Sequence, residues 1–177
     1  MEWNNKGMKN TSLISILLII SLSMLSASCW RTSDKKVNVD KFYTQKGEWD
    51  SGRIPLIKPY EAVITSKEFG WFINLDGKDG DTGLPNISKV AVKRGVIYLY
   101  NINTILHGID VKQSWHVIIP DKQIEKGFAT HQEYSEYLSN IGIKEEPQLY
   151  DIKSVADYFE NHDVIDWNVI KINPRCP

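Results

Sequence analysis

Apolar and polar positions fall into stretches of different period along this chain. The first is a block with no period at all, LISILLIISLSML from Leu13 to Leu25, broken only by serines. At 13 residues it falls short of the roughly 20 that a membrane span needs. From Trp30 to Arg53 the chain is polar, without sustained period, and reads as a tether. Phe42, Tyr43 and Trp49 predict that the later half of this tether packs on the folded domain, which is expected to begin near residue 53.

A period of two then sets in. Pro55 and Pro59 fix φ and push their predecessors toward extended backbone, so Arg53–Pro59 reads as an edge or lead-in segment. EAVIT and GWFINL, on either side of Ser66-Lys67-Glu68, predict a hairpin. Lys89–Lys93 and Val96–Tyr100 predict a second, turning at Arg94-Gly95 where glycine supplies the positive φ. Lys89, Ala91 and Lys93 alternate with Val90 and Val92, which predicts one wet face. Ser114–Ile119 is a fifth strand, stopped by Pro120.

After Pro120 the period lengthens to about 3.6. Thr130-His131-Gln132-Glu133 has the form of a capping box, and Tyr134, Tyr137, Leu138 and Ile141 come next at helical spacing before Gly142. Asp151 is placed to cap a second helix with Ile152, Val155 and Phe159 as its apolar stripe. Trp167–Ile172 is expected to return as a last strand. The fold class is therefore α+β, in two layers: an antiparallel β-meander of about five to six strands with two short C-terminal helices.

Composition narrows the function classes. The 177 residues are 42% hydrophobic and 24% charged with a net charge of −1, so the chain has the apolar content for a core and no basic excess to hold nucleic acid. Two cysteines, Cys29 and Cys176, build neither a disulfide scaffold nor a four-thiolate zinc site.

Lys6 and Lys9 ahead of the apolar block give it the charged n-region and h-region of a secretory signal. The block ends in Leu25-Ser26-Ala27-Ser28-Cys29, which resembles the lipobox of bacterial lipoproteins, with Leu25 one place further from the cysteine than is commonest. The resemblance implies a signal peptide over 1–28, cleavage between Ser28 and Cys29, a diacylglyceryl group on the Cys29 sulfur and acylation of the new amino group. Residues 29–52 are then lipidated cysteine and tether, and 53–177 a single domain held to the membrane through the lipid on Cys29. Several acyl chains anchor stably where one is marginal. Trp30 stands where an Asp favours inner-membrane retention in enterobacterial lipoproteins, so the implied location is the periplasmic face of the outer membrane. The same residues leave open an ordinary cleaved secretion signal, with Cys29 free to pair with Cys176, and an uncleaved anchor.

Candidate chemistry is sparse. His107, His116, His131 and His162 stand in no metal-ligand spacing, and His131-Gln132-Glu133 lacks the second histidine of the helical zinc motif. His116, between Trp115 and Val117, reads as a surface or satisfied core histidine. Asp76-Gly77-Lys78-Asp79-Gly80-Asp81-Thr82-Gly83 offers three carboxylates, but a calcium-hand loop starting at Asp76 meets Lys78, Gly80 and Ile87 where it needs oxygen ligands. A plain turn is expected, with a non-standard calcium site as the alternative. No nucleophile elbow, phosphate loop or dinucleotide fingerprint occurs, and Cys176 reads as a bystander thiol. No catalytic residue, metal ligand or cofactor is expected.

Aromatic residues remain, nearly all of them after Cys29. Tyr98 and Tyr100 share a strand face and Tyr134 and Tyr137 a helix face, a pairing suited either to a protein partner or to the core. From Arg53 to Phe159 the layout, with its RIPLIKPY opening and WHVIIP strand, is similar to small uncharacterised bacterial lipoproteins, some of which resemble immunity proteins made beside secreted toxins. That resemblance implies a lipid-anchored envelope protein acting by protein binding. The competing readings are a structural or assembly lipoprotein of the outer membrane and an envelope hydrolase with a carboxylate pair.

Overall fold

The computed structural model describes residues 39–48, 51–66, 70–168 and 170. Cys29, Ser28, the signal segment and Cys176 lie outside the described residues. Helix α1 (Lys41–Thr44) is followed by strands β1 (Gly52–Pro55), β2 (Glu61–Ile64), β3 (Phe72–Asn74), β4 (Gly83–Leu84), β5 (Ile87–Lys93), β6 (Val96–Leu106) and β7 (Ile109–Ile119). A 3₁₀ turn at Pro120–Lys122 leads to β8 (Ile124–Phe128), helix α2 (His131–Asn140), β9 (Tyr150–Asp151) and helix α3 (Ile152–Glu160). The strands form two sheets, ordered β1-β2-β3-β4 and β8-β7-β6-β5-β9, with every pairing antiparallel.

The class is α+β, and both expected hairpins and both expected helices form. β1 is an edge strand, consistent with Pro55 at its end. The capping box at α2 is complete: Thr130 Oγ1 accepts from the Glu133 N–H at 3.2 Å, and Glu133 accepts from the Thr130 N–H at 3.1 Å. Asp151 caps α3 by accepting from the Ser154 N–H at 2.9 Å. Such caps contribute about 1 kcal/mol each.

Four expectations are corrected. The strands number nine among the described residues, because β4 and β9 are two residues long and carry no readable period, while β8 hides a buried Glu125 and a glycine inside its pattern. β6 and β7 also run further than Tyr100 and Ser114, joined at His107-Gly108 with φ of 51° and 78°. The architecture has three layers, not two. One face of the five-stranded sheet buries Val90, Ile97, Leu99 and Ile118 against the four-stranded sheet and α3; the other buries Ala91, Tyr98, Trp115, Val117 and Phe128 against Tyr134 and Leu138 of α2. The predicted wet face of β5 is thus partly covered: Lys89 and Lys93 stay exposed, but Ala91 is buried under the α2 layer. β7, covered on both sides, is buried continuously from Ser114 to Ile119.

The C-terminal strand does not form where it is described. Trp167 and Asn168 lie in a turn in which Asp166 accepts from the Asn168 N–H through its side chain and from the Ile170 N–H through its backbone; 169, 171 and 172 lie outside the described residues. At the other end the packed domain reaches back beyond residue 53. Arg53 Nη1 donates to the Phe42 carbonyl at 2.8 Å and its guanidinium stacks on the Phe42 ring, while Lys46 Nζ donates to the last carbonyl of α3. Phe42 and Tyr43 pack on the domain; Trp49 lies outside the described residues.

Candidate partner-binding surface

α2 lies over the end of the sheet nearer the β5–β6 turn. The four tyrosines divide accordingly. Tyr98 and Tyr134 are 2% and 0% exposed, in the core between sheet and helix, which removes them from any surface a partner touches. Tyr100 and Tyr137 are half-buried. Aromatic rings run continuously through this layer, from Tyr100 to Trp115 (centroids 5.2 Å apart), to His131 (5.5 Å) and Tyr134 (6.5 Å), and from Phe128 to Tyr137 (5.1 Å). At its two margins, cations sit above the half-buried rings: Lys89 over Tyr100 at 5.9 Å and Lys126 over Tyr137 at 5.3 Å. Burial raises the pKa of Tyr98, Tyr134 and Tyr137, so all three stay protonated. The Tyr134 hydroxyl has no hydrogen-bond partner among the described residues.

Beyond α2 the β6–β7 hairpin continues, and its far end carries the main surface feature, which sequence reasoning missed. Ile102, Ile105 and Ile109 are 42%, 49% and 67% exposed on the outer half of this hairpin; Ile105 stands opposite Asp110 and Ile109 opposite Leu106, so the two project from opposite faces of the ribbon. Their exposure has a local cause. Asn103 takes φ 47°, which breaks the strand alternation, so that Asn101 and Thr104, three residues apart, both donate to the Pro85 carbonyl (2.7 and 3.2 Å). Those polar side chains turn inward, and Ile102 between them turns out. An Ile-x-x-Ile spacing inside a strand is the signal that would have pointed to it.

The acidic loop holds this hairpin end in place. Asp81 accepts from the His107 N–H at 3.1 Å, and the His107 ring lies 3.5 Å from Asp79 and 3.6 Å from Asp81. Asp79 accepts from the Gly127 N–H at 3.0 Å. Buried Glu125 accepts from the Asp76 N–H at 2.7 Å, the Lys78 N–H at 2.9 Å and the Tyr60 hydroxyl at 2.9 Å. The loop is a clamp tying both sheets together, and the Asp79 and Asp81 carboxylates are engaged by backbone amides. Among the described residues no group of three acidic, histidine or cysteine side chains is disposed to hold a metal.

The histidines take separate places. His116 is a core histidine, 3% exposed, with its Nε2 2.9 Å from Ser114 Oγ. Burial, aided by repulsion from His107, holds its pKa down to about 4. Ser114 is fully buried, so this Ser–His pair has no access to a substrate. His131 contacts Glu146 at 2.9 Å, and His162 stacks on Tyr158 at 3.8 Å. No helix among the described residues is long and apolar enough to cross a membrane. No family model, curated protein or solved structure matches this chain.

Proposed function

We propose that the chain is a lipid-anchored protein of the bacterial envelope that acts by binding another protein, with the free end of the β6–β7 hairpin as its docking surface. The observation that carries the docking reading is the exposed Ile102, Ile105 and Ile109 on a hairpin whose backbone is clamped by Asp81 and by Asn101 and Thr104. Apolar side chains exposed on both faces of a preorganised strand pair suit a protein partner that grips the ribbon end, since little ordering entropy remains to be lost on binding. Tyr100, half-buried beside Ile102 on the same strand, extends the patch with an amphipathic ring.

The anchor rests on the resemblance of residues 1–29 to a lipobox. An immunity protein against a secreted toxin is the specific form suggested by the likeness of the mature part to immunity-type lipoproteins. The outer-membrane location rests on Trp30.

Two measurements test this. Labelled palmitate is expected to enter the wild-type chain and not Cys29→Ala; label in the variant removes the anchor. Photo-crosslinking in envelopes is expected to capture the same partner with wild type and Lys144→Ala, and to lose it with Ile105→Lys/Ile109→Lys. Capture undiminished in the isoleucine variant refutes the docking surface.

A further inference from the structure

A concave site lies at the opposite end of the sheet, away from the hairpin tip. Three pieces of chain build it: the β5–β6 turn, the end of β7 with the 3₁₀ turn after it, and the loop after α2. Its volume is about 480 Å³, within the range of small-ligand pockets. The accessible apolar wall is Ile141 and Ile143, which are half-buried, over a floor formed by the edges of the core residues Val96, Tyr98 and Ile119.

The loop wall is fixed. Gly142, at φ 85°, and Ile143 return their N–H groups to the carbonyls of Ser139 and Leu138 at 3.0 and 2.8 Å, the Schellman arrangement. The helix end is therefore capped, and two of the carbonyls that would repel an anion are already bonded. The turn wall is fixed as well, with Arg94 and Gly95 both at positive φ in a two-residue hairpin connection.

Charge decides what fits. Lys93, Arg94, Lys122 and Lys144 ring the mouth against only Asp121 and Glu145. None of the four cations lies within salt-bridge distance of a carboxylate among the described residues. Such a ring above an apolar hollow attracts a negative group and leaves the hollow for the hydrophobic body attached to it. Tyr98 reaches the pocket from the sheet, and Arg94 lies close enough to act on its phenol electrostatically.

We infer that this cavity binds a small carboxylate carrying a compact apolar body, the carboxylate held at the Arg94/Lys122 rim and the body against Ile141 and Ile143, above the edges of Val96 and Ile119. The site is independent of the isoleucine patch, so it stands or falls apart from the docking proposal.

The test is methyl NMR on the full chain in lipid nanodiscs, with isoleucine δ1-methyls labelled. The probes are 3-phenylpropionate, 3-phenylpropanol and 3-phenylpropylammonium. The carboxylate is expected to shift the methyls of Ile119, Ile141 and Ile143 to saturation while those of Ile105 and Ile109 stay in place. The ammonium probe is expected to shift none. Arg94→Asn/Lys122→Gln, which keeps a residue tolerant of positive φ in the turn, weakens the carboxylate by at least about tenfold. Equal shifts with the alcohol, no saturable shift with the carboxylate, or an unchanged affinity in the double variant overturns the assignment.

Discussion

Acidification offers the sharpest test of the interior. His116 is 3% exposed, with Ser114 Oγ 2.9 Å from one ring nitrogen and Gly127 packed against the ring so closely that an added Cβ would lie 3.0 Å from Nδ1. The imidazole therefore stays neutral in the folded chain down to a pKa of about 4, against 6.5 for the ordinary group, chiefly because burial disfavours the cation. Between those two values the unfolded chain binds a proton that the folded chain does not. The stabilisation is complete above the unfolded pKa and is lost as pH falls through 6.5 toward the folded value of about 4. At 1.36 kcal/mol per unit, the difference amounts to about 3 kcal/mol. Urea unfolding of wild type and His116→Gln, from about pH 7 to pH 4, isolates it, because glutamine keeps a polar contact with Ser114 and does not titrate, while every carboxylate titrates in both proteins. The stability difference is expected to fall by about 3 kcal/mol across that range. A flat difference refutes the reasoning, as does an imidazole proton shift that titrates near 6.5.

Two further outcomes are expected from the buried polar groups. Glu125→Gln keeps the shape but loses the charge that accepts from Tyr60, Asp76 and Lys78, and is expected to destabilise by about 2–4 kcal/mol and speed hydrogen exchange at the Asp76 and Lys78 amides; a loss under about 1 kcal/mol contradicts the clamp. Tyr134→Phe removes a buried hydroxyl that has no partner among the described residues and is expected to leave stability unchanged or raise it by about 1 kcal/mol, read by thermal unfolding; a marked loss shows that the hydroxyl is bonded.

Much of the local structure is legible in residues alone. Thr130 and Glu133 announce α2 because a capping box satisfies two amide donors with side chains adjacent in sequence. Arg94-Gly95 announces a tight hairpin because few residue pairs accept two positive φ values in succession. β8 is not legible because Glu125 looks like surface, and only the Asp76–Lys78 backbone and Tyr60, about fifty and sixty-five residues earlier in the chain, make its burial tolerable. Ala91 reads as part of a wet face for a related reason: its strand alternates as a half-exposed strand does, and nothing nearby in sequence says that α2 covers it.

The candidate surfaces show the same division. Tyr98 and Tyr100 share a strand face by the period of two, and that much is fixed locally. Which of them meets solvent depends on how far α2 extends over the sheet, and the helix buries Tyr98 and leaves Tyr100 half-open. The outward turn of Ile102 depends on one backbone angle at Asn103 and on a carbonyl at Pro85, drawn in from another part of the chain. By itself the sequence determined the fold class, the turns, the caps and the resemblance at Cys29, because each rests on interactions within a few residues. Tertiary structure decided which faces are covered, which carboxylates are engaged and where cations gather around a hollow, because burial and charge density are set by segments that only folding brings together.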